Sequence, residues 1–244
     1  MKDGPFDRPD SRFNTLKDWT WIGCYGGYYL QSDLLHEQGF EHGFFTRLWN
    51  DRGPDQLAGY ISAGISVHRP QQIHSGIVLN ASDACQDPWP EADGLVSDRG
   101  GQSLWVCGAD CTPVLIADPG TGHAAACHAG WRGVAAGILI TALDRLVERG
   151  SQREDLVIAL GPAVSGPCYQ VGEEVVKAIT AAIPGEASLG GTGALLPDEQ
   201  AGRHRLDIRA AARLQLQQAG IAGSRIARCP LCTFSEPELF HSWR

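Results

Sequence analysis

A mixed α/β fold built around a mixed sheet is predicted by three observations on this chain. Short apolar runs, notably TPVLIAD at 112–118 and LVIAL at 156–160, have the length and composition of buried strands. Between such runs lie segments of helical period. The best is 139–147, where Leu139, Ala142, Leu143, Leu146 and Val147 fall on one face. Strand and helix signals mix throughout, which is the pattern of the α/β or α+β class. The 244 residues suffice for a large core. Residues 1–18, polar and broken by Pro and Gly, are expected to form a flexible tail, and 19–244 a single domain.

In chain order, EHGFFTR at 41–47 reads as a short strand ending at Arg47. ISAGISVHRPQQIHSGIVLN alternates around a proline, as strand, turn and strand would. SLWVCGAD at 103–110 is a β-prone run, TPVLIAD is a strand closed by the Pro119-Gly120 turn, and HAAACHAG is a further strand. A helix over 134–149 follows, with Arg145, Glu148 and Arg149 opposite its apolar face and Gly150 as its stop. LVIAL is a buried strand. A second helix runs from Glu173 to Ile183, ended by Pro184-Gly185. LGGTGALLPDEQAGRHR has the composition of a surface loop or lid, and Asp207 is placed to cap a helix reaching Ala219.

Composition narrows the function classes. Net charge is −8 and no Lys/Arg run forms a basic stripe, so nucleic acid is excluded as a main partner. The opening residues lack the apolar core of a signal peptide and no apolar stretch reaches membrane-spanning length. A cytoplasmic protein with no membrane partner is expected, its eight cysteines serving as thiols or ligands rather than as a disulfide framework.

Three of those cysteines, Cys107, Cys111 and Cys127, fall within 107–138, together with His123 and His128. Three readings are open for this stretch. The cysteines can be small core residues. A thiolate and imidazoles can hold a zinc-like ion, three protein ligands with an open fourth position marking a catalytic site. Or Cys111 can be a nucleophile with a histidine base. Cys127 and His128 are neighbours, so on an extended strand they face opposite sides, and the imidazole is the better ligand candidate. CPLC at 229–232 lacks the second pair that a four-cysteine zinc site needs. His36, His68 and His204 read as surface residues. Arg132, in HAGWRG ahead of the helix, suits an anion or a surface ion pair equally.

Taken together, HGFFTR at 42–47, QIH at 72–74, EADGLVS at 91–97, ADCTPVLIAD at 109–118, HAGWRGVAAGI at 128–138, GPAVSGPCYQVGEEV, CT at 232–233 and the closing SWR resemble the YfiH/laccase-domain family, also called the multi-copper polyphenol oxidase or purine nucleoside phosphorylase family. The resemblance covers the chain from about Tyr29 onward. It implies an α/β/β/α layered sandwich with metal ligands at His74, Cys111 and His128. That set suits zinc and also accepts copper. It also implies phosphorolysis of adenosine, inosine, guanosine and methylthioadenosine, and hydrolytic deamination of adenosine. Purine nucleosides and phosphate would then be the partners, with Arg47 and Arg132 holding phosphate and Asp110, then His241, as acid–base candidates. A monomer or small homo-oligomer is expected. Ser75 stands where the family usually has Gly, Gln170 where it has Glu, and relatives commonly continue beyond the position of Arg244. Rival readings are a copper laccase, a Cys-His hydrolase of the same fold, and a metal-sensing or partner-binding protein. A multicopper oxidase needs histidines for several coppers, and most of the eight here lie outside any motif.

Overall fold

The computed structural model describes residues 16–24, 27–62, 65–183 and 189–244. The predicted tail at 1–18 lies almost wholly outside the described residues, as does the Pro184-Gly185 stop. Strands β1 (Trp19–Cys24) and β2 (Gly27–Ser32) lead through the one-turn helix α1 (Asp33–Glu37) to β3 (Phe44–Phe45), completing an antiparallel three-stranded sheet. Then come α2 (Pro54–Leu57), β4 (Ser66–His68), β5 (Val78–Asn80), β6 (Gly94–Val96) and β7 (Gln102–Leu104). The hairpin β8 (Thr112–Ala117) and β9 (Ala124–Ala129) is followed by α3 (Trp131–Ala135), α4 (Ile138–Val147) and β10 (Val157–Leu160). The remaining elements are β11 (Gln170–Gly172), α5 (Glu173–Ala181), β12 (Leu195–Pro197), β13 (Arg203–Leu206), α6 (Ile208–Gln218) and β14 (Ile226–Arg228).

Six strands form the central mixed sheet in the order β14-β10-β8-β9-β6-β5. Strand alternation divides its side chains between two cores. Val114, Ile116, Ile158 and Leu160 point into a core shared with Ile138, Leu139, Leu143 and Leu146 of α4 and Leu216 of α6. Ala117, Val157 and Ala159 face the other way, against Trp19, Trp21, Leu30 and Phe44 of the small sheet. Helices therefore cover one face and a second sheet the other, giving the mixed α/β layering that the sequence predicts. On the second face the helical contribution is slight, since α1 has only one turn. Asp207 caps α6 as expected, its carboxylate accepting from the Ala210 amide at 2.9 Å.

Four expectations are corrected. The helix over 134–149 is two helices, because Gly137 adopts a left-handed φ of +77° between α3 and α4. The run at 103–110 pairs only as far as Leu104, and its remainder is a loop. The strands expected on either side of Pro70 do form, at 66–68 and 78–80, each with a parallel partner, β7 and β6 respectively. The stretch at 189–205 is a β-hairpin built by β12 and β13, whose leucines pack inward, and not an open loop. His68 is likewise buried, hydrogen-bonded to Ser66 Oγ at 2.7 Å, instead of lying on the surface.

Candidate metal centre

One end of the central sheet brings distant residues together. Cys111 immediately precedes β8, and His128 sits near the end of β9, opposite Pro113 in the antiparallel register. His74 arrives on the loop between β4 and β5. That loop is stitched to the chain entering β6 by hydrogen bonds from Gln71 N to Pro90 O and from Ala92 N to Gln71 O. The donor atoms of His74, Cys111 and His128 lie within 4.8 Å of one another. Among the described residues no other cluster of three His, Cys, Asp or Glu side chains is placed to share an ion.

A buried carboxylate organises this cluster. Asp93, fully buried ahead of β6, accepts from His128 Nδ1 at 2.8 Å through Oδ1. The same oxygen accepts from the His74 amide at 3.0 Å. Its Oδ2 accepts from the Ile73 and Ser75 amides and from Ser75 Oγ, at 3.2, 2.6 and 2.8 Å. Burial opposes ionisation of Asp93, but the bonds from His128 and Ser75 outweigh it and hold the carboxyl below its ordinary range. Burial also lowers the pKa of His128 against the pull of Asp93. With Nδ1 committed to Asp93, the neutral ring offers Nε2 as its ligand atom, the arrangement that orients metal-bound histidines. The two imidazoles stand edge to face, 4.8 Å between centroids.

Other local features serve the same geometry. His74 holds a left-handed φ of +62°, a conformation that persists only where its surroundings impose it, here the three consecutive amides bound to Asp93. A Cβ on Gly130 would fall 2.6 Å from Cys111 Sγ, so only glycine admits the thiol there. Gln72 bonds the main chain of Cys107 in both directions, at 2.6 and 2.8 Å, and ties the loop of His74 to the loop that leads into Cys111. Burial, then Asp110 and Asp93, pushes the Cys111 thiol up to about 11. Unaided, it is a protonated thiol and a poor nucleophile. A divalent cation would reverse that by favouring the thiolate. The donor set, two imidazoles and one thiol with a carboxylate behind one ring, fits zinc, which takes N and S ligands in tetrahedral sites.

The chain from residue 55 to 244 matches the family model described as multi-copper polyphenol oxidoreductase laccase. The chain belongs to this family. A purine nucleoside phosphorylase of the cyanobacterium Synechocystis sp. is 37% identical over 244 residues, covering 93% of this chain and 92% of that protein. The purine nucleoside phosphorylase YlmD of Geobacillus stearothermophilus is 36% identical over 160 residues, a match spanning 64% of this chain and 55% of that protein. The crystal structure of YlmD from that organism superposes with a TM-score of 0.69, at 30% identity, covering 76% of this chain and 71% of the other. That of Bacillus licheniformis YfiH gives a TM-score of 0.69 at 26% identity, covering 88% and 90%.

Within this laccase-family chain the remaining candidates are placed as follows. Arg47 is half-buried and donates to Pro237 O at 2.6 Å. It lines a cleft of about 600 Å³ with Trp49, Trp105, Thr233 and His241. Arg132 is not in that lining. It is the second residue of the five-residue α3 and not the lead-in to a long helix, and its exposed guanidinium lies 4.5 Å over the Trp131 ring. Asp110, buried and at φ +80°, accepts from Thr233 Oγ1 and Ser242 Oγ, both at 2.7 Å, and from the Trp243 amide at 2.8 Å. His241 bonds Asn50 Oδ1 at 3.1 Å. Cys127 points into the core, where burial raises its pKa to about 12. Cys229 and Cys232 lie outside the ligand cluster. Cys232 Sγ instead accepts from the Ser165 amide at 3.3 Å. Cys85, Cys107, Cys111, Cys127, Cys168, Cys229 and Cys232 are all free thiols. Among the described residues no helix is long and apolar enough to cross a membrane.

Two contributors have no assigned role in the sequence reading. Asp93 lies inside EADGLVS, an acidic residue directly before an apolar strand, and that position was the available signal. Ser75, noted only as a departure from the family pattern, supplies two of the bonds on Asp93.

Proposed function

We propose that this chain is a purine nucleoside phosphorylase whose chemistry takes place at the His74–Cys111–His128 centre, and that the same centre deaminates adenosine. The full-length similarity to a phosphorylase carries the reading, and the intact, carboxylate-backed donor set supports it. In phosphorolysis a phosphate oxygen forms a bond to C1′ of the ribose. The C1′–N9 bond breaks, its electron pair leaves with the purine, and a proton must reach the departing base. We assign the anion to the guanidiniums of Arg132, which bears electrostatically on Cys111, and Arg47, which lines the cleft. Aromatic walls at Trp49 and Trp105 give the cleft flat apolar surface for a base. Asp93 fixes the tautomer of His128 and the backbone of His74, so that both rings meet the substrate in one orientation. Zinc, held by His74, Cys111 and His128, supplies Lewis-acid charge there.

The test is incubation of zinc-loaded protein with adenosine, with and without phosphate. Adenine and ribose 1-phosphate are expected only with phosphate, and inosine in its absence. His128→Ala should depress both reactions by a similar factor. Loss of deamination with wild-type phosphorolysis would separate the two activities, and copper-dependent oxidation of a phenol without nucleoside turnover would replace the reading altogether.

A further inference from the structure

The chain's last residues are anchored beside Cys111 by hydrogen bonds to Asp110 and by the stacking of Arg244 on Tyr169. Ser242 Oγ and the Trp243 amide both bond the Asp110 carboxylate, and Thr233 Oγ1 braces it from a third side. The Trp243 side chain is 89% exposed, so apolar burial contributes almost nothing to holding this segment. Its position depends on Asp110, the direct neighbour of the ligand Cys111. The residue delivered by this anchorage is Arg244. Its amide bonds Ser242 Oγ at 3.2 Å, and its guanidinium lies 4.4 Å over the ring of Tyr169, which is buried. Arg244 and Arg132 both bear electrostatically on Cys111 and on Tyr169, and each guanidinium is steadied over an aromatic ring, Tyr169 and Trp131 respectively, so both cations lie near the Cys111 edge of the centre. Among the described ion pairs neither guanidinium has a carboxylate partner. Two guanidiniums without carboxylate partners, both acting on the Cys111 edge of the cluster, match a tetrahedral oxyanion.

We propose that Arg244 binds the phosphate co-substrate together with Arg132, and that Asp110 is the positioning residue that latches the Ser242–Arg244 segment in place. This rests on the phosphorolysis proposed above and assigns Asp110 a role other than acid–base catalysis. Two of the three bonds that Asp110 accepts come from Ser242 and Trp243 and the third from Thr233, which leaves the carboxylate turned toward the segment instead of toward a substrate.

The experiment compares wild type, Arg244→Ala, Arg244→Lys, Asp110→Asn and Ser242→Ala, each zinc-loaded and checked for metal content. Phosphate and nucleoside are varied separately. Loss of one charge-assisted contact should raise KM for phosphate about 10- to 100-fold in Arg244→Ala. KM for the nucleoside should stay within about threefold, the split expected when one substrate's binding contact is lost. Arg244→Lys should recover part of the loss, since it restores charge without the fork. Asp110→Asn and the milder Ser242→Ala should also raise KM for phosphate while kcat at saturating phosphate is largely kept. A collapse of kcat in Asp110→Asn with KM for phosphate unchanged would make it an acid–base residue and overturn the latch. A wild-type KM for phosphate in Arg244→Ala would overturn the anion site. Calorimetric titration with inorganic phosphate alone keeps the two proposals apart. If wild type binds phosphate and Arg244→Ala does not, the anion site stands even where no nucleoside is cleaved.

Discussion

Asp93 and Asp98 stand at the two ends of β6, five residues apart, and each gathers several hydrogen bonds onto one carboxylate. Asp93 receives them from His128, from three consecutive amides of the loop at 73–75 and from Ser75 Oγ. Asp98 receives them from the amide and hydroxyl of Ser82 and from Gln102 Nε2. Both carboxyls are held below the ordinary range, Asp98 down to about 2, its bonds from Ser82 and Gln102 outweighing partial burial. What separates them is solvent and what they tie down. Asp98 is exposed and secures a surface turn, so water competes for every bond it makes. Asp93 is fully buried and its donors belong to two prospective metal ligands. A similar set of bonds is a loop fastener in one place and the organiser of a reactive centre in the other.

The sharpest way to break the contrast is to empty the Asp93 end. Cys111→Ala should lose zinc outright while costing only about 1 kcal/mol of stability, as for an ordinary single substitution. Elemental analysis with urea denaturation checks both halves. Cys232→Ala, outside the cluster, should keep its zinc. Next in size, Asp93→Asn places an amide donor among donors. It should weaken zinc about 10- to 100-fold in chelator competition. It should also cost about 3 kcal/mol in urea, the scale for breaking a buried hydrogen-bonded pair. An unchanged zinc affinity would show that burial of Asp93 is merely structural. Gly130→Ala presses a methyl onto Cys111 Sγ and should cost about 1–3 kcal/mol by overpacking, with a measurable loss of zinc affinity. The smallest effect belongs to Asp98→Asn, which should leave zinc untouched. Its folded pKa of about 2 lies below the ordinary 3.8, so its stabilisation is complete above 3.8 and fades as pH falls toward 2. Screening limits it to no more than about 0.5 kcal/mol at neutral pH. Denaturation of both proteins at neutral pH and near pH 2.5 should therefore show the difference closing in acid.

The core was legible in the sequence wherever the signal was local. Strands β8, β9 and β10 follow from their apolar runs, and the buried face of α4 follows from the spacing of Leu139, Leu143 and Leu146. The errors share one physical origin, backbone behaviour that composition disguises. Gly137 looked like a tolerated residue within a helical period, and its left-handed φ divides the helix instead. Glycines around 190–202 suggested an open loop, although Leu195 and Leu206 pair across a hairpin. At the centre, Cys111 and His128 stood out by residue type. Asp93 did not, because its partners lie about twenty residues before it and thirty-five after. Arg47 and Arg132, paired by chemistry in the sequence, have different settings in the fold: Arg47 lines the cleft, whereas Arg132 lies over the Trp131 ring.

The register of the β8–β9 hairpin has one more consequence. His128 faces Pro113, and its neighbour Cys127 faces the core. A slip of a single residue would exchange the two faces, presenting a thiol toward Asp93 and burying an imidazole. The register of this one hairpin therefore decides whether an imidazole or a thiol stands before Asp93 and beside His74.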